Sequence, residues 1–151
     1  MEQLTIMKNT LTPEDYCRLR EKVGFQPYPH EDVRRALEGS LFTLSILEGR
    51  ETVGIARVVG DGRVAFFIKD VVVDPGRQGA GIGRLLMDEV LAYIRQAACP
   101  RAYVGLMAAP GTEGFYEKFG FIRRPAPGLG HGMVWFTPAD TAGLESSAPQ
   151  R

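Results

Sequence analysis

The sequence predicts an α/β fold of the α+β kind: a central mixed, mostly antiparallel twisted sheet with one parallel crossover and helices on both faces. Three observations carry this expectation. Leu41–Leu47 and Thr52–Val59 are β-prone runs joined by the polar turn Glu48-Gly49-Arg50, the pattern of an antiparallel hairpin. Val64–Val73 is a long run apolar on both faces, as a central strand covered on both sides would be. After it come an amphipathic helix and a further apolar strand, Ala102–Met107, which is the order of a parallel strand–helix–strand crossover.

The remaining elements follow in chain order. Leu4–Met7 is a short β-prone run. Thr12-Pro13-Glu14-Asp15 supplies an N-cap, a proline at the first helical position and acidic residues in the first turn, so a helix runs from about Pro13 to Val23 and ends at Gly24. Phe25-Gln26-Pro27-Tyr28-Pro29 is too rich in proline for a helix and reads as an ordered, partly apolar loop. A second helix spans about Glu31 to Leu37. In the crossover helix Ile82, Leu85, Leu86, Val90, Tyr93, Ile94 and Ala97 recur at helical spacing, with Arg84, Asp88, Glu89, Arg95 and Gln96 opposite. A short helix carries Phe115, Tyr116 and Phe119 and closes at Gly120. Phe121 onward and Met133–Phe136 are expected as the final strands, joined by a loop rich in proline and glycine.

Composition narrows the function. The 151 residues are 44% hydrophobic, and 18 Lys+Arg balance 18 Asp+Glu, so no basic footprint favours nucleic acid or an anionic membrane as partner. Cys17 and Cys99 form no C-x-x-C pair, and with only His30 and His131 beside them neither a disulfide framework nor a metal site is expected. No stretch reaches the ~18 apolar residues of a membrane span and the start has no leader pattern, so a cytoplasmic location is expected. Residues 1–137 are expected to form a single domain, and 138–151, poor in apolar anchors, a disordered tail.

The most informative stretch is Asp74-Pro75-Gly76-Arg77-Gln78-Gly79-Ala80-Gly81-Ile82-Gly83-Arg84, between the central strand and the long helix. Alternating glycines let a ligand approach the backbone, and the helix start presents unpaired N–H groups at the positive end of its dipole, a setting for a phosphate or pyrophosphate. The dinucleotide fingerprint fails at Arg84 and the Walker loop fails at Ile82. Gln78-x-x-Gly81-x-Gly83, preceded by Val71-x-Val73-x-Pro75, resembles the acyl-CoA pyrophosphate loop of the GNAT superfamily of N-acetyltransferases. Gly114-Phe115-Tyr116-Glu117-Lys118-Phe119-Gly120-Phe121 resembles the later tyrosine helix of the same superfamily. Ile68–Pro75, with its Asp-Val-Val-Val, is similar to the corresponding strand of arylalkylamine (serotonin-type) N-acetyltransferases of plants and bacteria. Two departures stand out: Ala109 where many relatives have Asn, and Ala65 where some protein-acetylating relatives have Glu.

The resemblance implies direct transfer of an acetyl group from acetyl-CoA, without a metal, to a primary amine. Val71, Val72 and Val73 would pair with the pantetheine amides, while backbone N–H groups from Gln78 through Gly79, Ala80, Gly81, Ile82, Gly83 and Arg84 would take the pyrophosphate. An amine with pKa near 10.4 costs about 4–5 kcal/mol to deprotonate at pH 7, and the departing thiolate needs a proton. Tyr116, a phenol protonated at neutral pH, is the candidate general acid, or else a core tyrosine. Asp70, a carboxylate in an apolar strand, is either a base with its pKa raised by burial or an anchoring acceptor for a loop. Phe25, Tyr28, His131 and Trp135 are the candidate acceptor pocket, each with core packing or a solvated loop as the alternative. A small-molecule amine is the expected acceptor, a protein or peptide amine the rival, a non-catalytic acyl-CoA-binding module the third reading, and a homodimer through the apolar terminal strands the expected assembly.

Overall fold

The computed structural model describes residues 3–139. The expected tail from 138 on lies, beyond Ala139, outside the described residues. In chain order the elements are β1 (Leu4–Lys8), α1 (Pro13–Lys22), α2 (His30–Glu38), β2 (Phe42–Glu48), β3 (Glu51–Gly60), β4 (Ala65–Val73), a single 3₁₀ turn (Pro75–Arg77), α3 (Ile82–Ala97), β5 (Tyr103–Leu106) and α4 (Glu113–Glu117). The chain divides into two compact units, up to Met107 and from Ala108 on.

In the first unit the strands lie in the order β1-β2-β3-β4-β5, antiparallel except for the parallel pair β4–β5 that α3 connects. The start of α1 follows from its residues: the Thr12 hydroxyl accepts the Asp15 N–H at 3.2 Å, and Pro13 occupies the first turn where no N–H is needed. One side of the sheet packs on the first two helices, with Tyr16, Leu19 and Val33 against Ile55 and Val72. The other side packs on α3, whose Ile82, Leu86, Met87, Val90 and Ile94 are buried. Tyr93 of α3 stacks on Phe42 at 4.6 Å and meets the edge of Phe66 at 6.4 Å. Gly54 is what lets the start of α3 approach β3, because a Cβ there would sit 2.6 Å from Cγ2 of Ile82 and 3.3 Å from Cδ1 of Leu86.

The second unit differs from expectation. Phe121 onward and Met133–Phe136 form no strand; the only pairing among these described residues is the isolated Ala126–Leu129 bridge. Met133, Val134, Trp135 and Phe136 are 88%, 70%, 53% and 75% exposed. β-prone residues make a strand only when a neighbouring backbone takes their N–H and C=O groups, and among the described residues none pairs with this segment. What the second unit does build is an aromatic cluster on α4: Phe115 lies 5.0 Å from Tyr116 and 5.3 Å from Phe119, and Phe121 lies 6.2 Å from Tyr116, all edge to face.

Candidate active site

The site begins on β4. Its first half pairs with β5 in parallel over Ala65–Ile68, and Phe66–Ile68 pair with β3 as well. Beyond Ile68 and Leu106 the pairing with β5 stops, while β4 continues to Val73 held only by β3. Residues Lys69 to Val73 therefore present a strand edge with no ladder partner on the β5 side, the arrangement by which an extended ligand adds itself to a sheet. Val71, Val72 and Val73 all lie on this edge, with Val72 buried and the other two half-buried.

A bulge interrupts β4 where this edge begins. Ile55 stands opposite Val72 and Arg57 opposite Lys69, so Asp70 and Val71 together face Ala56. Asp70 takes the left-handed conformation, φ 56°, which side chains other than glycine rarely adopt. The extra residue changes the parity of the strand: Phe66 reaches Tyr93 on α3, whereas Asp70 and Val72 reach α1 on the opposite side.

The Asp70 carboxylate is buried and accepts three hydrogen bonds, from Tyr16 Oη (2.7 Å) and Arg57 Nε (2.8 Å) at Oδ2 and from Arg20 Nε (2.9 Å) at Oδ1. Burial alone would raise its pKa, as expected above, but the bonds from Arg57 and Tyr16 and the two guanidinium charges outweigh it, and the carboxyl is held below the usual carboxylate range. The expected upward shift is thereby corrected: the carboxyl is more acidic than usual and accepts from three donors, as an anchoring acceptor would. Burial and the neighbouring charge of Asp70 push the Tyr16 phenol up to about 12. The partners Tyr16, Arg20 and Arg57 were not anticipated, although Arg57 inside the apolar run Val53–Val58 and Arg20 beside Leu19 are cations on buried faces that require a counter-ion.

At its far end β4 passes into the glycine loop. Asp74, buried, accepts from Lys22 Nζ at 2.9 Å with one oxygen and from the Gly76 N–H at 2.9 Å with the other, and its own N–H bonds to the Val53 carbonyl at 2.8 Å. The Lys22 bond first, then the Gly76 bond, keep its carboxyl below the ordinary range. Arg77 reaches across to Glu48 and Glu51. The following loop is thus pinned at its entry and open at its centre. Gly79 and Gly81 have φ of 85° and 83°, and no atom lies within 4 Å of where a Cβ would stand on either. Gly81 caps α3 with no side-chain bond, so the positive end of the helix dipole is not satisfied by a capping side chain. Ile82 turns its side chain into the core and offers only its backbone; Gln78 and Arg84 are exposed, and Arg84 forms no ion pair among the described residues.

Phe25 and Tyr28 are brought together, but around a residue of this chain: the Arg20 guanidinium carbon lies 5.5 Å and 5.2 Å from their ring centres and 5.1 Å from that of Tyr16. In the second unit Tyr116 is half-buried among aromatic rings, its hydroxyl makes no hydrogen bond among the described residues, and burial pushes its phenol up. His131 and Trp135 are exposed in that unit. Ala109 contributes its carbonyl to the Thr112 hydroxyl at 2.7 Å. An open groove of about 560 Å³ where α1 meets the β2–β3 turn is lined by Asp15, Arg18, Lys22, Glu48, Arg50, Glu51 and Thr52, none of them on the β4 edge.

A family profile described as an acetyltransferase (GNAT) domain matches residues 10–138. The chain belongs to the GNAT family of acetyltransferases. The match runs through both compact units, so both are parts of one GNAT domain, and the chain is an acyltransferase. The uncharacterized N-acetyltransferase ycf52 of Pyropia yezoensis is 32% identical over 123 residues, covering 79% of this chain and 68% of that one. Serotonin N-acetyltransferase 2, chloroplastic, of Oryza sativa is 38% identical over 109 residues, covering 69% of this chain and 53% of the rice protein. Among solved structures, a GNAT-family acetyltransferase from Streptococcus pneumoniae superposes with a TM-score of 0.74 at 32% identity, covering 89% of this chain and 98% of its own. A probable acetyltransferase from methicillin-resistant Staphylococcus aureus gives 0.80 at 31% identity, covering 89% and 100%. The relatives bear out the likeness to the serotonin-type group, and no helix among the described residues is long and apolar enough to cross a membrane.

Proposed function

We propose that this GNAT domain moves the acetyl group of acetyl-CoA directly onto the primary amine of a small molecule. The observation that carries the reading is the strand edge of β4 followed, after one 3₁₀ turn, by an open glycine cradle. The edge offers Val71 to Val73 as hydrogen-bonding partners for an amide-bearing arm, and the cradle offers N–H groups from Gln78 to Arg84 for a pyrophosphate, with Arg84 and Gln78 as side-chain contacts. These residues fit acetyl-CoA, whose chemistry is a thioester that an amine nitrogen can attack.

Tyr116 is a phenol and holds its proton at neutral pH, burial pushing its pKa further up, and among the described residues its hydroxyl bonds to no other group. It is therefore suited to deliver a proton to a departing thiolate. Deprotonation of the amine falls to solvent or to the substrate's own equilibrium, since the Asp70 carboxylate is engaged. The aromatic loop with Phe25 and Tyr28 beside the bulge supports a small, ring-bearing or alkyl amine over a peptide, and the name of the rice relative points the same way. A cytoplasmic setting belongs to the same proposal, supported by Cys17 and Cys99, which are free thiols. So does a homodimer formed through the exposed segment Met133–Phe136, which a molecular mass from light scattering checks.

The decisive experiment is calorimetric titration with acetyl-CoA beside thiol release on a panel of arylalkylamines, polyamines and short peptides. Binding with release on one small-amine class supports the proposal. Release on peptides alone makes the chain a protein acetyltransferase, binding with no release makes it an acyl-CoA-binding module, and no binding overturns the role given to the cradle.

A further inference from the structure

The Asp70 cluster is larger than an anchor for one side chain requires. Arg20 donates from Nε to Asp70 and from Nη1 to the Gln26 carbonyl at 2.7 Å, so a single rigid fork joins the β4 bulge to the loop between α1 and α2. The same guanidinium lies against Phe25 and Tyr28 of that loop. Arg57 extends the cluster from Asp70 to the Ser40 hydroxyl at 3.3 Å, and Ser40 in turn donates to the Ala36 carbonyl of α2 at 2.8 Å. Arg20 is 8% exposed although it sits next to solvent-facing Glu21, so its burial is specific to this contact. A left-handed, non-glycine residue is unfavourable and persists only where its surroundings hold it, and here three donors on two elements do so.

We propose that Arg20 is a positioning residue for acyl transfer, locking the aromatic loop of residues 24–29 to the Asp70 bulge so that the acceptor side and the β4 edge keep one geometry. The proposal rests on the reading of the β4 edge as the place of the acyl group. Its physical content is a coupling: loosening the fork at one end releases the other, because one planar group serves both. Arg20→Lys separates the two functions, since an ammonium on a flexible stem can bond the Asp70 carboxylate or the Gln26 carbonyl but does not span both. Arg20→Met keeps the apolar stem and removes both bonds.

Hydrogen exchange on the full chain without ligand tests the coupling, with α3 residues 86–94 as internal reference and Arg34→Gln on the exposed face of α2 as control. In Arg20→Met, residues 24–29 and 69–73 are expected to exchange at least about tenfold faster while the reference holds. In Arg20→Lys, residues 69–73 stay within about threefold of native and only 24–29 accelerate. Equal acceleration of the reference, or native exchange at 24–29 in either variant, overturns the proposal; should Arg20→Met not fold, Arg20→Lys alone decides it in the same way. Kinetics supply the functional half: Arg20→Lys is expected to raise the amine KM about tenfold and leave the acetyl-CoA dissociation constant within about threefold. An unchanged amine KM with a fast loop shows that the link is structural only and overturns the positioning role. If the native chain neither binds acetyl-CoA nor releases thiol, the proposed activity fails, and that outcome is separate from the exchange result.

Discussion

The β4 bulge and the α4 aromatic cluster each hold one of the two side chains that the sequence marks for proton transfer, and their surroundings are opposites. Asp70 sits among two guanidiniums and a phenol, its charge stabilised and its lone pairs engaged. Tyr116 sits among rings that offer nothing to its hydroxyl, and burial alone sets its proton affinity. A proton-transfer group must be able to change its protonation state and its bonds during a reaction. On the proposed reading, the bulge has spent its polar group on structure, whereas the α4 cluster holds its polar group in reserve.

The largest expected effect lies on the structural side. Asp70→Ala leaves Arg20 and Arg57 without their counter-ion in a buried site, and breaking such a pair costs about 3–5 kcal/mol, a fall in Tm on the order of 10 °C for a chain of this size. Thermal melting followed by circular dichroism reads it. A Tm within a degree or two of native breaks the comparison and returns Asp70 to the candidates for catalysis.

On the chemical side, Tyr116→Phe removes one hydroxyl from a position where, among the described residues, it bonds to no other protein group. Loss of a general acid is expected to lower kcat about 100-fold, or ~2.7 kcal/mol, with the Tm and the acetyl-CoA dissociation constant unmoved. An unchanged kcat on the best amine of the panel makes Tyr116 a packing residue and leaves the thiolate to be protonated by solvent.

The two regions also part in their pH dependence. The folded pKa of Asp70 is depressed, so its contribution to stability is present above the unfolded carboxyl value near 3.9 and is lost as pH falls through the lower folded value. The difference in stability between the native chain and Asp70→Asn is therefore expected to stay level from pH 7 to about pH 5 and to shrink below about pH 4. Tyr116 works in the other direction: a raised phenol is protonated throughout that window, so the group adds no acid dependence, and its loss of function belongs to strongly alkaline pH. Urea titrations at a series of pH values decide the first point; a gap that is constant down to pH 2 contradicts it.

Much of this arrangement is legible in the residues. The periodicity of Ile82–Ala97, the two-faced apolar run of β4 and the Thr12-Pro13 start need only local rules, and the glycines at 79, 81 and 83 announce a loop that something approaches. The face of Asp70 is not legible that way. Strict alternation places it with Phe66 and Ile68, and the bulge that carries it to α1 depends on an aspartate in a left-handed conformation, held by Arg20 from 50 residues away in the chain. Met133–Phe136 fails for a related reason: the residue types ask for a strand, but a strand also needs a partner edge, which no local pattern records.

The smallest expected effect sharpens what burial contributes. Arg34 on α2 bonds Glu31 at 2.6 Å and Glu38 at 2.5 Å, contacts shorter than any that Arg20 makes, and its guanidinium is held more firmly protonated by the Glu31 hydrogen bond and by both charges. Yet the three side chains are 45% to 66% exposed, so each ion exchanges little hydration for its partner, and salt screens what attraction remains. Exposed helical pairs three and four residues apart contribute little, and Arg34→Gln is expected to move the denaturant midpoint far less than Asp70→Ala, and less still at high salt. Denaturant midpoints at low and high ionic strength measure this. A loss comparable to that of Asp70→Ala would mean that contact distance, not burial, sets the worth of an arginine here, and the contrast between a spent group and a reserved one would lose its physical basis.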